Sequence, residues 1–313
     1  MDCRICNGKT EDPRKVKEWV QGKDEFFVYR RCISCHTIQL DDIPDDLSHY
    51  YGRDYYSHTP IQSADRYGRL KQALLIRRDR HALAVKPDLI GRLIQAIRPV
   101  QVSSLREIYK FIYLRVLNNK NARIHDIGCG NGKVLRYFNR LGFTGLSGND
   151  PFLEKDILED DLEIRACEFD KIPGNFDAVM LNHVLEHVRD PLRLLSEIRD
   201  KLSKNGQLLV RTPLAGSFGE RTYGEHWSGY DAPRHLHIFT AKELKARALA
   251  AGLRCSLEAY DSVGWNYSVS EGYKNGIKLA DQSFDDIVSF EALAQRLNKD
   301  SDGDSGVFIF TAE

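Results

Sequence analysis

The sequence predicts an α/β protein in which helices cover a parallel sheet, preceded by a small cysteine-rich module and a helical segment. Three observations predict this class. From about residue 122, strand-like segments, glycine turns and helix-like segments alternate, which is typical of a parallel sheet. Two CxxC pairs stand near the start of the chain. Hydrophobic residues make up 42% and charged residues 29% of the 313 positions, which suits an ordinary core and excludes collagen-like and low-complexity classes.

The charge balance limits the partners that composition suggests. The chain carries 45 Lys and Arg against 45 Asp and Glu, so no global positive field draws it to nucleic acid or to an anionic membrane. The first residues lack the apolar segment of a secretory signal, and no stretch approaches the roughly 18 apolar residues of a membrane span. We therefore expect a cytoplasmic protein with no membrane span, and its oligomeric state stays open.

Residues 1–40 are predicted to be a zinc ribbon. The segment between the two CxxC pairs alternates and turns like a β-hairpin around residues 22–24. In a ribbon, each pair presents two thiolates and all four close a tetrahedron around Zn²⁺. Such a site has no open coordination position, so the metal is expected to be structural. Four unrelated thiols are the alternative. The predicted ligands are Cys3, Cys6, Cys32 and Cys35.

Residues 41–118 are predicted to be a tyrosine-rich linker followed by helices. The linker is first acidic and then aromatic, with Pro and Gly between. Apolar residues then recur at helical spacing, which predicts two or three helices with breaks near Pro87 and Pro99. The tyrosines are Tyr50, Tyr51, Tyr55, Tyr56 and Tyr67, and the helical stretches are residues 69–85, 88–97 and 104–117.

Residues 119–313 are predicted to be the α/β domain. Thr240, with Glu243 three residues later, is the expected N-cap of one of its helices. A helical insertion at about 265–299 separates the last two strands. The predicted strands are residues 123–127, 144–149, 162–166, 176–182, 206–212, 253–263 and 306–313, and the other helices are 131–141, 190–202 and 240–251.

A glycine-rich turn follows the first of these strands. Residues 125–132 read His-Asp-Ile-Gly-Cys-Gly-Asn-Gly, and glycines there let the backbone approach a ligand while the first helical N–H groups supply donors. Asp150 closes the next strand about twenty residues on, where an acid can accept both hydroxyls of a ribose. A tight turn without a ligand is the alternative. A dinucleotide is disfavoured because Lys133 stands where the pyrophosphate clamp has its third glycine.

This loop, with segments 176–191 and 202–210, resembles class I S-adenosylmethionine-dependent methyltransferases. The resemblance covers about residues 120–262 and the terminal strand. It implies a seven-stranded Rossmann-like sheet with helices on both faces, with S-adenosylmethionine as the cofactor. After the third strand, where many members have Gly-Asp, this chain has Ala166 and Cys167. The cofactor-binding residues that the resemblance implies are Asp126, Gly128, Cys129, Gly130, Asp150, Glu168, Phe169, Asn182 and His183.

Residues 212–237 lack clear periodicity and are dense in Trp, Tyr and His, which indicates a functional loop rather than disorder. Its Tyr-x-Glu-His segment resembles sugar C-methyltransferase sites. A general base for the acceptor is therefore expected here, with structural histidines as the alternative. The candidates, in order of preference, are His226, then Tyr223, Glu225 and His235, with His187 as a rival outside the loop.

Residues 183–187 fit the pattern H-x-x-E-H of some zinc peptidases. We disfavour that function because His183 lies where a strand ends, because the following helix is expected to begin nearer residue 190, and because no third ligand is evident in the sequence. His183 is then an expected contact of the methyltransferase cofactor rather than a peptidase ligand.

The ribbon, the tyrosine-rich linker and the methyltransferase domain together resemble a bacterial group that methylates sugars or other small metabolites. We therefore expect methyl transfer to a small molecule, with a saccharide or nucleotide-linked sugar as acceptor. An RNA methyltransferase that uses the ribbon for RNA contact is one alternative, which the neutral charge disfavours. A non-catalytic cofactor-binding partner is another, which the intact glycines and Asp150 disfavour.

Overall fold

The computed structural model describes residues 2–51, 66–82, 88–99, 119–159 and 161–312. The chain divides into two compact units. Unit 1 comprises Met1–Arg53, Leu181–Asp200 and Leu208–Glu313, and unit 2 comprises Asp54–Met180 and Lys201–Gln207. Each unit combines segments from separate parts of the chain. The units therefore do not test the predicted division into residues 1–40, 41–118 and 119–313, which stays a prediction.

The described residues form twelve strands and eight α-helices. The strands are β1 (Thr10–Lys17), β2 (Phe26–Cys32), β3 (Ile38–Leu40), β4 (Ile124–Ile127), β5 (Leu146–Asn149), β6 (Ile157–Glu159), β7 (Leu162–Arg165), β8 (Phe176–Asn182), β9 (Leu202–Pro213), β10 (His237–Ile238), β11 (Leu253–Tyr260) and β12 (Ser305–Ala312). The helices are α1 (Arg66–Ala82), α2 (Leu89–Ile97), α3 (Lys133–Arg140), α4 (Pro191–Lys201), α5 (Phe218–Tyr223), α6 (Ala241–Ala250), α7 (Gly264–Lys274) and α8 (Ile287–Lys299).

The N-terminal strands of unit 1 form an antiparallel sheet with the order β1-β2-β3-β10. The predicted hairpin is present, and Gly22 and Asp24 in its turn have φ of +65° and +53°. The sequence did not predict the fourth strand, β10, which lies about 200 residues further along the chain and pairs His237 with Gln39. This module is therefore completed by a later segment of the same unit.

In unit 2 the strand order is β8-β4-β5-β7-β6. Strands β4, β5 and β7 are parallel, and β6 is a short antiparallel edge strand beside β7. All four residues of β4 are buried. The sequence did not predict β6, because three largely exposed residues leave no alternating pattern to detect.

In unit 1 the remaining strands have the order β11-β12-β9, with β12 antiparallel to β11. The seven predicted strands are therefore present as β4, β5, β7, β8, β9, β11 and β12, with β6 as one more. The predicted fold class, an α/β methyltransferase sheet with helices and a cysteine-rich N-terminal module, is confirmed.

The longer helices agree with the periodicity of the sequence wherever the structure describes them, whereas the six-residue α5 lies in the 212–237 segment, which was predicted to be a loop. The Thr240 side chain accepts a hydrogen bond from the Glu243 N–H at 3.2 Å, so this residue is the N-cap of α6 as predicted. The predicted insertion contains α7 and α8. The stretch 104–117 lies outside the described residues. Among the helices that are described, none is long and apolar enough to cross a membrane.

Candidate active site and metal centre

The glycine loop of unit 2 joins β4 to α3. Gly128, Gly130 and Gly132 have φ of +63°, +53° and +78°, a region that only glycine enters without strain. Gly132 is the residue that precedes α3, and a Cβ there would lie 2.4 Å from the Ile164 Cδ1 atom. These glycines are therefore required by the backbone, and they bring the start of α3 to the end of β4.

Asp150 is tied directly to this loop. Its side chain is buried, and its Oδ2 accepts a hydrogen bond from the Gly130 N–H at 2.9 Å. Its Oδ1 accepts from the Phe152 N–H at 2.9 Å. A carboxylate has about four lone-pair sites, so these two bonds leave capacity for the hydroxyls of a ribose. The structure thus brings together Gly130 and Asp150, two residues that the sequence predicted for one site.

A buried histidine supports the ends of these strands. His125 Nε2 lies 2.9 Å from the Asn149 Oδ1, and its Nδ1 lies 2.8 Å from the Ser147 Oγ. Burial lowers the pKa of His125 to about 4, so the ring is neutral and can donate to Asn149 and accept from Ser147. The sequence analysis gave His125 no role, although its place beside Asp126 on a fully buried strand is a signal for a positioning residue.

The other predicted cofactor residues of unit 2 differ in exposure. Phe169 is buried, and its ring centroid lies 5.5 Å from that of His125 and 6.5 Å from that of Phe176. Glu168 is exposed. Burial, with carboxylates nearby, raises the pKa of the Cys129 thiol, so it stays protonated. The cofactor contacts that the resemblance implies for Glu168 and Phe169 stay predictions.

In unit 1, Asn182 ends β8 and His183 follows with a φ of +55°. Leu185–His187 form a single 3₁₀ turn, and the next helix begins at Pro191. The two histidines of the H-x-x-E-H pattern therefore do not share a face of one α-helix, as expected. Instead, His183 Nδ1 lies 3.0 Å from the Glu186 Oε1.

The candidate bases in the 212–237 loop occupy three different environments. Tyr223 is buried at the end of α5, and burial together with Glu271 raises its pKa to about 12. Glu225 is exposed. The ring of His226 lies 6.1 Å from that of Trp19, which stacks on Tyr273 at 5.2 Å. The sequence analysis did not assign Trp19 or Tyr273 to the site.

The structure brings together His187 and His235, the two remaining candidates for the general base. The rings of His187 and His235 meet edge to face with centroids 4.7 Å apart. Burial, with His235 nearby, lowers the pKa of His187 to about 4. His235 is buried, and its Nδ1 lies 2.7 Å from the Gly229 carbonyl oxygen. The sequence gave no sign that these two residues, far apart along the chain, would be in contact.

The four N-terminal cysteines converge in unit 1. Their sulfur atoms all lie within 4.8 Å of one another, with 3.8 Å between Cys3 and Cys35 and 3.4 Å between Cys6 and Cys32. No two of them form a disulfide. Sulfurs that share a tetrahedral Zn²⁺ at about 2.3 Å lie about 3.8 Å apart, so this arrangement fits the ion. The Gly8 N–H also points at the Cys6 sulfur, 3.4 Å away, which is the support a thiolate needs.

Solved structures with a similar fold include a methyltransferase of 1,6-didemethyltoxoflavin from Burkholderia thailandensis. It is 14% identical with a TM-score of 0.42, and the match covers 81% of this chain and 93% of that one. Another is a complex between the Haloferax volcanii Trm112 methyltransferase activator and a methyltransferase, with 18% identity and a TM-score of 0.46, covering 75% of this chain and 97% of that one.

Curated relatives share part of the sequence. The chain is 29% identical over 181 residues to the ubiquinone biosynthesis O-methyltransferase of Xanthomonas campestris pv. campestris, covering 52% of this chain and 72% of that protein. It is 33% identical over 135 residues to the protein of the same name from Dinoroseobacter shibae, covering 39% and 54%. A family profile described as a methyltransferase domain matches residues 101–258, which is half of the chain. The chain therefore belongs to this methyltransferase family, and the predicted enzyme class, an S-adenosylmethionine-dependent methyltransferase, is confirmed.

Proposed function

We propose that this enzyme methylates a hydroxyl group of a small-molecule acceptor, and that the acceptor is a saccharide or a nucleotide-linked sugar. The relatives are O-methyltransferases by name, which favours oxygen as the acceptor atom. We further propose that S-adenosylmethionine is bound by Asp126, Gly128, Gly130 and Asp150. The hydrogen bond between Gly130 and Asp150 supports this assignment, because it presets the loop and the acid as one site.

The observation that carries the acceptor proposal is the aromatic group around His226. Trp19 and Tyr273 stack with their planes 9° apart, and His226 lies beside them. Small-molecule sites combine aromatic walls with a few polar groups that fix orientation. The partly exposed Trp19 ring, which carries Tyr273 stacked on it and the Lys17 ammonium 4.8 Å from its centroid, gives an aromatic wall with polar groups at its edge, and this combination suits a sugar ring.

His226 is the base that we propose among the five candidates. A general base works best when its pKa lies near the operating pH. Tyr223, with a pKa of about 12, is a neutral phenol at that pH, and His187, with a pKa of about 4, is a weak base. His235 is buried, and Glu225 is an exposed carboxylate. His226 is partly exposed and lies beside the Trp19 ring, so its imidazole is placed to meet an acceptor at the aromatic group.

The proposed chemistry is a single displacement. The cofactor supplies an electrophilic methyl group on a sulfonium. The enzyme holds the acceptor oxygen in line, and positioning of this kind provides much of the rate. With the cofactor bound, the acceptor oxygen would take the methyl group, and the electron pair of the broken C–S bond would stay on sulfur. The hydroxyl proton passes to His226.

We also propose that Cys3, Cys6, Cys32 and Cys35 hold one structural Zn²⁺. The sulfur separations and the absence of disulfides among them support this. A reducing compartment keeps cysteines available as metal ligands, so we propose that the enzyme works in the cytoplasm. The ribbon's role is then to fold the module, with no open coordination position for catalysis.

The acceptor class can be tested by measuring S-adenosylhomocysteine formation with nucleotide-linked hexoses, free hexoses, catechols and bulk tRNA. We expect turnover with the sugars. His226→Asn should then lower kcat by about 10²- to 10⁴-fold, the range for a lost general base, and leave the Kd of S-adenosylmethionine unchanged. His49→Asn, which changes an exposed histidine of the same unit, is the matched control.

Three outcomes would contradict the proposal. Methylation of tRNA alone would favour an RNA methyltransferase. Methylation of catechols alone would retain O-methyl transfer and remove the sugar. A loss of less than about threefold for His226→Asn would leave positioning, or another residue, as the source of the rate.

A further inference from the structure

Three side chains of unit 1 that could ligate a metal converge away from the four-cysteine centre. Glu186, His187 and His235 each offer one ligand atom, and these atoms all lie within 4.8 Å of one another. Glu186 and His187 come from the turn after β8, and His235 comes from the 212–237 loop. Which ring nitrogen of each histidine keeps a lone pair decides whether the cluster can bind a metal ion.

His187 presents the lone pair of its Nε2. Its Nδ1 lies 3.0 Å from the Arg234 carbonyl oxygen, and the Tyr51 hydroxyl lies 3.1 Å from the same nitrogen. A carbonyl oxygen can only accept, so Nδ1 carries the proton. Nε2 is therefore a Lewis base.

His235 is arranged in the same way. Its Nδ1 donates to the Gly229 carbonyl oxygen at 2.7 Å, which turns its Nε2 toward two carboxylates. That Nε2 lies 3.9 Å from the Glu186 Oε1 and 3.8 Å from the Asp231 Oδ2. Both distances exceed a hydrogen bond. A metal ion placed between this nitrogen and the Glu186 carboxylate would take one ligand atom from each.

The charge balance favours a cation at Glu186. Asp231 is held by the Arg234 guanidinium at 2.6 and 2.8 Å, which compensates its charge. Glu186 is fully buried, and among the described ion pairs its partners are histidines only.

We propose that Glu186, His187 and His235 bind one divalent transition-metal ion, in addition to the zinc of the ribbon. Two imidazoles and one carboxylate suit Zn²⁺, Mn²⁺ or Fe²⁺, whereas Mg²⁺ prefers a shell of oxygens. Ligands at about 2.1 Å from a shared tetrahedral ion lie about 3.4 Å apart, whereas these atoms lie up to 4.8 Å apart, so each pair has to draw together by about 1.4 Å at most.

The surroundings of the three ligands match those of metal sites. In such sites a ligating histidine donates its other N–H to a carbonyl or a carboxylate, and a ligating carboxylate is itself hydrogen-bonded. Both imidazoles here donate to backbone carbonyls. Glu186 Oε2 accepts from the Thr212 hydroxyl at 3.0 Å, and Oε1 lies 3.0 Å from His183 Nδ1. His183 therefore supports the Glu186 carboxylate and is not itself a proposed ligand of the ion.

Three protein ligands leave a coordination position open to water or to a substrate oxygen. Binding of the acceptor hydroxyl at that position rests on the proposed function, whereas binding of the ion does not. The two can fail separately, because metal binding is measured on the whole chain without cofactor or acceptor.

The test is titration of the purified full chain with Co²⁺ and Zn²⁺ after removal of metal. We expect two equivalents of Co²⁺, one with thiolate-to-metal charge-transfer bands and one without them. His235→Ala and His187→Ala should abolish the second and keep the first. Thr212→Val, which removes only the hydroxyl that supports Glu186, should weaken the second by about 10- to 100-fold. His49→Ala is the matched control.

A single equivalent that carries thiolate bands, with Co²⁺, Zn²⁺ and Mn²⁺ all at millimolar concentration, would overturn the proposal. So would ¹⁵N resonances that show His235 protonated on both nitrogens at pH 7 in the presence of metal. Both readouts use the wild-type chain, so they hold even where a variant fails to fold. A second equivalent that survives both histidine substitutions would place the ion elsewhere and refute the assignment.

Discussion

The third glycine of the loop provides a stability prediction that can be worked from the structure. An alanine at Gly132 has to adopt a φ of +78°, and the left-handed conformation costs an L-residue roughly 1–2 kcal/mol. Its Cβ would also lie 2.4 Å from the Cδ1 of the fully buried Ile164, and overpacking of a core costs typically about 1–3 kcal/mol. We expect Gly132→Ala to lower the free energy of unfolding of unit 2 by about 2–5 kcal/mol.

A second glycine of unit 2 is a matched control. Gly142 has a φ of +95°, and a Cβ there would meet only the Arg80 guanidinium at 3.5 Å, which is an ordinary contact. Gly142→Ala should therefore show the conformational cost alone, roughly 1–2 kcal/mol. Ile164→Val removes the Cδ1 atom, so combining it with Gly132→Ala should destabilise less than the two changes added separately.

The assay has to report on unit 2. All three tryptophans lie in unit 1, at positions 19, 227 and 265, so tryptophan fluorescence would miss the effect. Amide hydrogen exchange of β4, β5 and β7 follows the opening of unit 2 directly. Equal losses for Gly132→Ala and Gly142→Ala, with strict additivity in the double variant, would refute the steric part of the reasoning.

Three further predictions concern the cofactor, the ribbon and pH. Asp150→Asn should raise the Kd of S-adenosylmethionine about 10- to 100-fold in calorimetry, since a hydrogen bond to a charged group contributes about 1.5–3 kcal/mol; an unchanged Kd would exclude Asp150 from the site. Cys32→Ser should remove the Co²⁺ bands that arise from thiolate, and their persistence would exclude the four-cysteine centre. Burial raises the pKa of Asp304 to about 6, from 3.8 in the unfolded chain. The native state therefore binds this proton more tightly, and unit 1 should gain stability as pH falls from about 6 toward 4. In urea unfolding followed by tryptophan fluorescence, Asp304→Asn should lack that gain, and an identical pH profile would contradict the assignment.

Most strands and helices could be predicted because the patterns that indicate them, such as periodicity, caps and turn residues, lie within the element itself. The N-cap at Thr240 and the hairpin turn at residues 22–24 depend on neighbours within a few positions, so the sequence displays them directly. The glycine loop is of the same kind, because a positive φ at three alternate positions demands three glycines. Its acid, Asp150, could be predicted because it closes the next strand at a regular distance.

Contacts between distant segments could not be predicted from such patterns. The two residues of β10 are too few for an alternation, and their partner β3 lies near the other end of the chain. The meeting of His187 with His235, and of Trp19 with His226, depends in the same way on how the 212–237 loop folds. The sequence did identify the loop as functional, since it concentrates titratable and aromatic residues, but it could not rank them without their burial.

The ribbon and the 212–237 loop, which carries the candidate base, share one apolar core, so metal at the four-cysteine centre has consequences for catalysis. Tyr29 of β2 and Leu40 of β3 pack in the same cluster as Trp227 of the loop. The Tyr29 hydroxyl donates to the His235 carbonyl oxygen at 2.9 Å. Loss of zinc should therefore loosen the loop and reduce activity although the zinc touches no substrate. A loss of activity after chelation therefore does not show which of the two sites has lost its metal. The Co²⁺ spectrum does, because only the four-cysteine site gives thiolate charge-transfer bands.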